Sequence, residues 1–172
     1  MAQDLKAPPL AQVRRHVDAP AAAVWGVLAD GWLYANWVVG ASRVRTVDLT
    51  WPATDSTLKH SFGLWPAVIS DESRVLESDA GRRILIQAKG WPLGEARVQL
   101  TVEPWDDDSC NVQMIEDAVT GPGTLVPRVI RQRAIVMRNR EAVHRLALIA
   151  EGHHREWLNS AGGTSTGGMS AI

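Results

Sequence analysis

The sequence predicts an α+β fold, with a seven-stranded antiparallel sheet wrapped around a long C-terminal helix and two short helices after the first strand. Three observations carry this expectation. From about residue 41 to residue 119, apolar residues recur at every second position between turn-forming clusters, which is the period of half-buried strands. From Thr124 to about Gly152 there is no Pro after Pro127 and no internal Gly. One helix of about 28 residues is therefore expected, well beyond the ~11–12 of an average helix. Finally, "DAPAAAVWGVLAD" at residues 18–30 places a proline just ahead of a helix-favouring run, where its fixed φ and missing N–H cost least.

Residues 1–10, containing "APPL", read as a flexible lead-in. "AQVRRHVD" is the first strand, with Val13 and Val17 on one face. The first helix carries Ala22, Ala23, Val24, Val27 and Leu28 and stops at Gly31. "GWLYANWVV" forms a short second helix or turn closing at Trp37. Strands follow over "ASRVRTVDL", "TLKHSFGL" and "VISDESRVLES". The turn "WPATDS" separates the first two, Trp65-Pro66 breaks the second, and a bulge or bend is expected near Asp71. "RRILIQAKG", "EARVQLTVE" and "CNVQMIEDAV" complete a meander, with Val98, Leu100 and Val102 inward. "TGPG" interrupts the chain before the long helix. A single domain over 11–156 and a disordered Gly/Ser-rich tail over 157–172 are expected.

On a helical wheel Ile135, Ala142, Leu146 and Ile149 fall on one meridian, flanked by Val136 and Val143. Arg128, Gln132 and Asn139 occupy the same meridian nearer the start. A helix that is apolar-faced at one end and polar-faced at the other suits a position over a partly hollow sheet.

Bulk composition excludes several function classes. Of 172 residues, 18 are Lys or Arg and 19 Asp or Glu, a formal charge of −1. That gives no global case for nucleic acid as a partner. No apolar run reaches the ~18 residues of a membrane span, and no secretory leader is legible, so a cytoplasmic location is expected. Cys110 is the sole cysteine, leaving no internal disulfide and no cysteine-built zinc site. Neither a glycine-rich phosphate loop nor a hydrolase or metalloprotease motif occurs. No cofactor and no metal are expected. The eight Trp against one Phe and one Tyr supply broad apolar area for a core or a wide pocket.

The order of elements, "VDAPAAAVWGVLAD", Trp37 after the second helix, the six-strand run and the closing helix together resemble the START and birch-pollen-allergen-like helix-grip proteins, the SRPBCC superfamily. The similarity covers roughly residues 11–152. Within it, "CNVQMIEDAVTGPG" and "RNREAVHRLALIAEG" are similar to bacterial polyketide cyclase/dehydrase-like members. The resemblance implies a cavity between sheet and long helix that holds apolar small molecules such as lipids, polyketides, steroids or quinones. It implies no single chemistry.

Candidate site residues come from polar groups at inward positions. His60 alternates with Leu58, Phe62 and Leu64. It is either a packed core histidine or a cavity-wall group that binds a ligand oxygen or moves a proton. Glu116 shares a face with Val112, Met114 and Ala118. A carboxylate there must be paired or protonated, either as an ion pair to the arginine-rich start of the helix, with Arg138 the expected partner, or as a catalytic or ligand-binding acid. Arg128 is placed at the cavity mouth, and Gln132 and Asn139 orient a polar ligand end or satisfy main-chain groups. Trp37, Phe62, Met114 and Ile135 belong to the cavity wall or the core. His153 and Glu156 have helical metal-ligand spacing but no further ligands in view. Cys110 follows an acidic turn that disfavours a thiolate.

Three functions are open on these grounds. The first is a carrier of a hydrophobic, polyketide-like or lipid-like molecule, oriented by His60, Glu116, Arg128, Gln132 and Asn139. The second is a polyketide aromatase/cyclase or dehydratase with His60 and Glu116 as acid-base groups. This one fails where His60 is sealed off by packing. The third is an interaction module with a filled core. The oligomeric state is not legible.

Overall fold

The computed structural model describes residues 11–64, 66–90, 94–120 and 128–163. Strand β1 (Ala11–Val17) leads into helix α1 (Ala21–Ala29), a 3-10 turn (Gly31–Leu33) and helix α2 (Tyr34–Trp37). Strands β2 (Ala41–Val47), β3 (Thr57–Leu64), β4 (Ala67–Asp79), β5 (Arg83–Gly90), β6 (Gly94–Pro104) and β7 (Cys110–Thr120) precede helix α3 (Arg128–Gly163). All seven strands join one antiparallel sheet in the order β1-β7-β6-β5-β4-β3-β2. The six later strands form the meander that the alternation predicts, and β1 is laid against β7 at its end. This is the helix-grip arrangement.

Pro20 stands in extended backbone immediately before α1, which buries Val24, Val27 and Leu28. The helix gives way at Asp30, whose carboxylate accepts from the Trp32 N–H at 2.9 Å and so caps the following 3-10 turn. That turn rotates the chain so that Tyr34 and Trp37 of α2 both point inward, their rings edge-to-face at 5.3 Å. The Trp51 indole, from the β2–β3 loop, donates to the Leu28 carbonyl at 3.1 Å and ties the loop to the end of α1.

Two details differ from the sequence expectation. The irregularity in β4 lies between Val75 and Glu77, not near Asp71, which pairs in unbroken register with His60. The register with the neighbouring strand, invisible in one strand's own pattern, decides where an extra residue is absorbed. Helix α3 runs to Gly163, past the expected stop near Gly152 and into the expected disordered tail. Gly152 carries an ordinary helical φ with nothing within 4 Å of a would-be Cβ, so it lowers helix propensity without ending the helix. The expected helix start at 124–127, the 1–10 lead-in and the tail from 164 on lie outside the described residues.

The core sits where the middle of α3 meets the sheet. Ala142, Val143, Leu146, Ala147 and Ala150 are buried against β1 and α1. From Arg155 to Ala161 every residue is exposed, so the last turns extend past the body of the domain. Among the described residues no helix is long and apolar enough to cross a membrane.

Candidate functional site

The inward face of the sheet is graded along its strands. Toward the β2–β3, β4–β5 and β6–β7 turns, Leu58, Val75, Ile84, Leu100, Val102 and Val112 are sealed. Toward the opposite end, Phe62, Ile69, Ala88, Ala96 and Val98 are only half-buried. Ala88 and Ala96 stand opposite each other in register, with Ser73 beside Ala88, so three small side chains follow one another across the sheet. Helix α3 packs chiefly on β1, α1 and α2 rather than on the middle strands β3, β4 and β5. Ile135, Val136 and Gln132 on its first turns are half-buried too. The interior is therefore close-packed at one end and loosely covered at the other.

Polar side chains gather between these two zones. His60 is 2% exposed, with the Tyr34 ring tilted against it at 5.1 Å. Its carbonyl accepts from the Arg45 guanidinium at 2.9 Å. Burial, and secondarily the charge of Arg45, push the imidazole pKa down to about 4, so it is neutral at pH 7. Its Nδ1 has no hydrogen-bond partner among the described residues. Asp71, directly opposite on β4, is also buried, and desolvation raises its carboxyl above the usual range despite a bond from the Glu72 N–H.

The Tyr34 hydroxyl and Ser73 Oγ lie 2.8 Å apart, both buried. Burial raises the phenol to about 12, so it stays protonated. The same ring feels the charges of Asp71, Arg138 and Glu116, which places α2 at the centre of the polar group. Glu116 is 3% exposed and both its oxygens accept from Nη2 of Arg138 on α3, whose side chain keeps 39% of its surface in solvent. One residue on, Asn139 is buried with no partner for its Nδ2 among the described residues.

The residues singled out in the sequence divide as follows. His60, Trp37, Met114, Glu116 and Asn139 are buried in this interior, and Phe62, Gln132 and Ile135 border its looser end. The Glu116–Arg138 pair is present as expected. The side chain of Arg128 lies outside the described residues, as does Trp65. No hydrogen bond joins His60 to Glu116. The acid-base role weighed for His60 requires contact with an open cavity, and its imidazole is closed off as the side chains stand.

Tyr34, Asp71 and Ser73 were missed. Asp71, Ser73 and Val75 alternate, and that parity was the available signal. Two polar residues before one valine read as a solvent face until the register set Asp71 opposite His60. Cys110 is buried, with its thiol pushed up to about 11 by desolvation, in keeping with a poor nucleophile.

Outside the sheet, an open groove of about 520 Å³ runs between α1 and the end of α3, lined by Ala22, Gly26, Leu33, His153, His154 and Trp157. His154 stacks on Trp157. Among the described residues no group of three His, Cys, Asp or Glu is placed to hold a metal.

Comparison with known proteins follows the same lines. The family described as polyketide cyclase / dehydrase and lipid transport matches residues 9–151. No curated protein matches. Among solved structures, the Zhui aromatase/cyclase from Streptomyces sp. R1128 is similar at 18% identity and a TM-score of 0.63, over 88% of this chain and 96% of that one. A START superfamily protein from Mycobacterium smegmatis is similar at 15% identity and 0.60, over 85% and 97%. A conserved protein from Geobacillus kaustophilus reaches 0.64 at 12% identity, over 83% and 95%. At these identities the structures support the fold alone. The family match spans most of the chain, which belongs to the polyketide cyclase / dehydrase and lipid transport family.

Proposed function

We propose that this member of the polyketide cyclase/dehydrase and lipid transport family binds a hydrophobic, polyketide-like or lipid-like small molecule between the sheet and the first half of α3. The observation that carries the reading is the graded interior. Phe62, Ala88, Ala96, Val98, Ile135 and Val136 are inward-facing yet half-buried, whereas a core filled throughout would seal them. Apolar walls of this kind supply affinity, and a few polar groups fix orientation. A pure interaction module with a filled core is disfavoured by the same gradient.

Native mass spectrometry of freshly purified protein, followed by extraction of any bound molecule, tests this. A retained apolar ligand supports the reading. An apo mass, together with no binding across a panel of apolar probes, overturns it.

A second reading, cyclisation or dehydration of a poly-ketone, would use the neutral His60 imidazole beside the Tyr34 ring, and the packing that closes His60 off counts against it. A neutral imidazole is a base, so it would take a proton from an activated C–H while Tyr34, still protonated, faces the developing enolate oxygen. Because His60 is closed off, the ligand must first displace the side chains that cover it. Turnover of a poly-β-ketone that is lost in His60→Ala while binding persists separates catalyst from carrier.

A further inference from the structure

The interior holds a guanidinium whose charge is already neutralised. Arg138 projects from α3 with 39% of its side chain in solvent, and its pair with the 3%-exposed Glu116 engages Nη2 with both carboxylate oxygens. An arginine carries five N–H donors, and Nε and Nη1 take no part in that pair. On β3 and β4 of the same inward face lie the uncharged His60 imidazole and, opposite it, the buried carboxyl of Asp71. Asn139, next to Arg138 on α3, is buried with no partner for its amide nitrogen among the described residues. Arg15, a second guanidinium on the inward face of β1, pairs with Val112, four residues along the strand from Ala11, the partner of Glu116. It therefore stands roughly 13 Å from that level.

We propose that the Glu116–Arg138 pair makes this interior select neutral, carbonyl-bearing ligands and reject carboxylates. The inference rests on the ligand-binding reading above. A neutral carbonyl oxygen accepts from the Nε or Nη1 side of Arg138, which the Glu116 pair does not use, and meets no charge penalty. A carboxylate approaching the same guanidinium meets the charge of Glu116 on its far side, and because Glu116 is only 3% exposed that charge is weakly screened and the two like charges repel. Glu116 is thus a specificity-determining residue rather than a catalytic one: it holds the charge so that Arg138 reads only hydrogen-bonding capacity.

Three probes of one shape test this by isothermal titration calorimetry at pH 7: naphthalene, 2-acetonaphthone and 2-naphthoate. The wild-type protein is expected to bind the ketone at least about tenfold tighter than the carboxylate, the scale of one hydrogen bond to a charged group. In Glu116→Gln the guanidinium is freed, and 2-naphthoate should tighten about a hundredfold and overtake the ketone. Arg138→Met serves where that variant does not fold. The ketone should weaken about tenfold with naphthalene unchanged. Equal or tighter binding of 2-naphthoate by the wild type, or the same order in Glu116→Gln, overturns the proposal and leaves the carrier reading standing. Failure of all three probes to bind overturns both.

Discussion

The Tyr34 hydroxyl sits 2.8 Å from Ser73 Oγ, a buried bond that joins α2 to the inward face of β4 across 39 residues of sequence. Removing one partner leaves the other buried and unpaired, which costs more than the bond itself contributes. Tyr34→Phe should therefore lower unfolding stability by about 1–2 kcal/mol in urea titration. Combining it with Ser73→Ala should recover part of that loss, and full additivity would show that the two hydroxyls are not coupled.

Protonating His60 must oppose folding. Its folded pKa of about 4 lies below the ordinary 6.5, so between those values the unfolded chain binds more protons and stability falls as pH falls. The contribution is fully present above pH 6.5 and lost by about pH 4, on the order of 3 kcal/mol. Asp71, whose raised pKa favours the neutral acid, works in the opposite direction. Comparing the pH dependence of urea midpoints in wild type and His60→Gln isolates the histidine. Parallel curves from pH 7 to 4 would refute its assignment as a neutral buried imidazole.

Gly40 is required twice. Its φ is +98°, and a Cβ there would lie 2.5 Å from the Phe62 ring, so Gly40→Ala meets both backbone strain and a clash at the rim of the interior. A loss of about 2 kcal/mol or more is expected. Adding Phe62→Leu should return the steric part alone, leaving about 1 kcal/mol from the left-handed backbone. Thermal melts of the two variants provide the measurement.

The two halves of α3 should respond differently to truncation. Leu146 is fully buried, and Leu146→Ala should cost about 2–5 kcal/mol. Leu158, 48% exposed on the last turns, should change stability by less than about 0.5 kcal/mol when made alanine. A large effect at Leu158 would mean that the end of the helix is covered in solution.

Much of this was legible in the chain itself. Alternation located β3 at Thr57–Leu64 and the closing strand up to Glu116, and wheel position identified the stripe around Leu146. These patterns are local, because period two and period 3.6 follow from backbone geometry and need no partner. The same logic marked His60 and Glu116 as polar groups on apolar faces, and Arg138 as the cation nearest to Glu116.

Tertiary structure decided the rest. Which face of β4 turned inward depended on register, and only pairing with β3 set Asp71 beside His60 and Ser73 within reach of Tyr34. A single polar residue on one strand looks solvated until another strand fixes its side. Likewise, whether His60 met open space or packed rings depended on where α2 and α3 came to rest over the sheet. Periodicity determined which side chains point together; the height and tilt of one layer over another determined how much room lies between them, and that distance is a property of packing that no local pattern encodes.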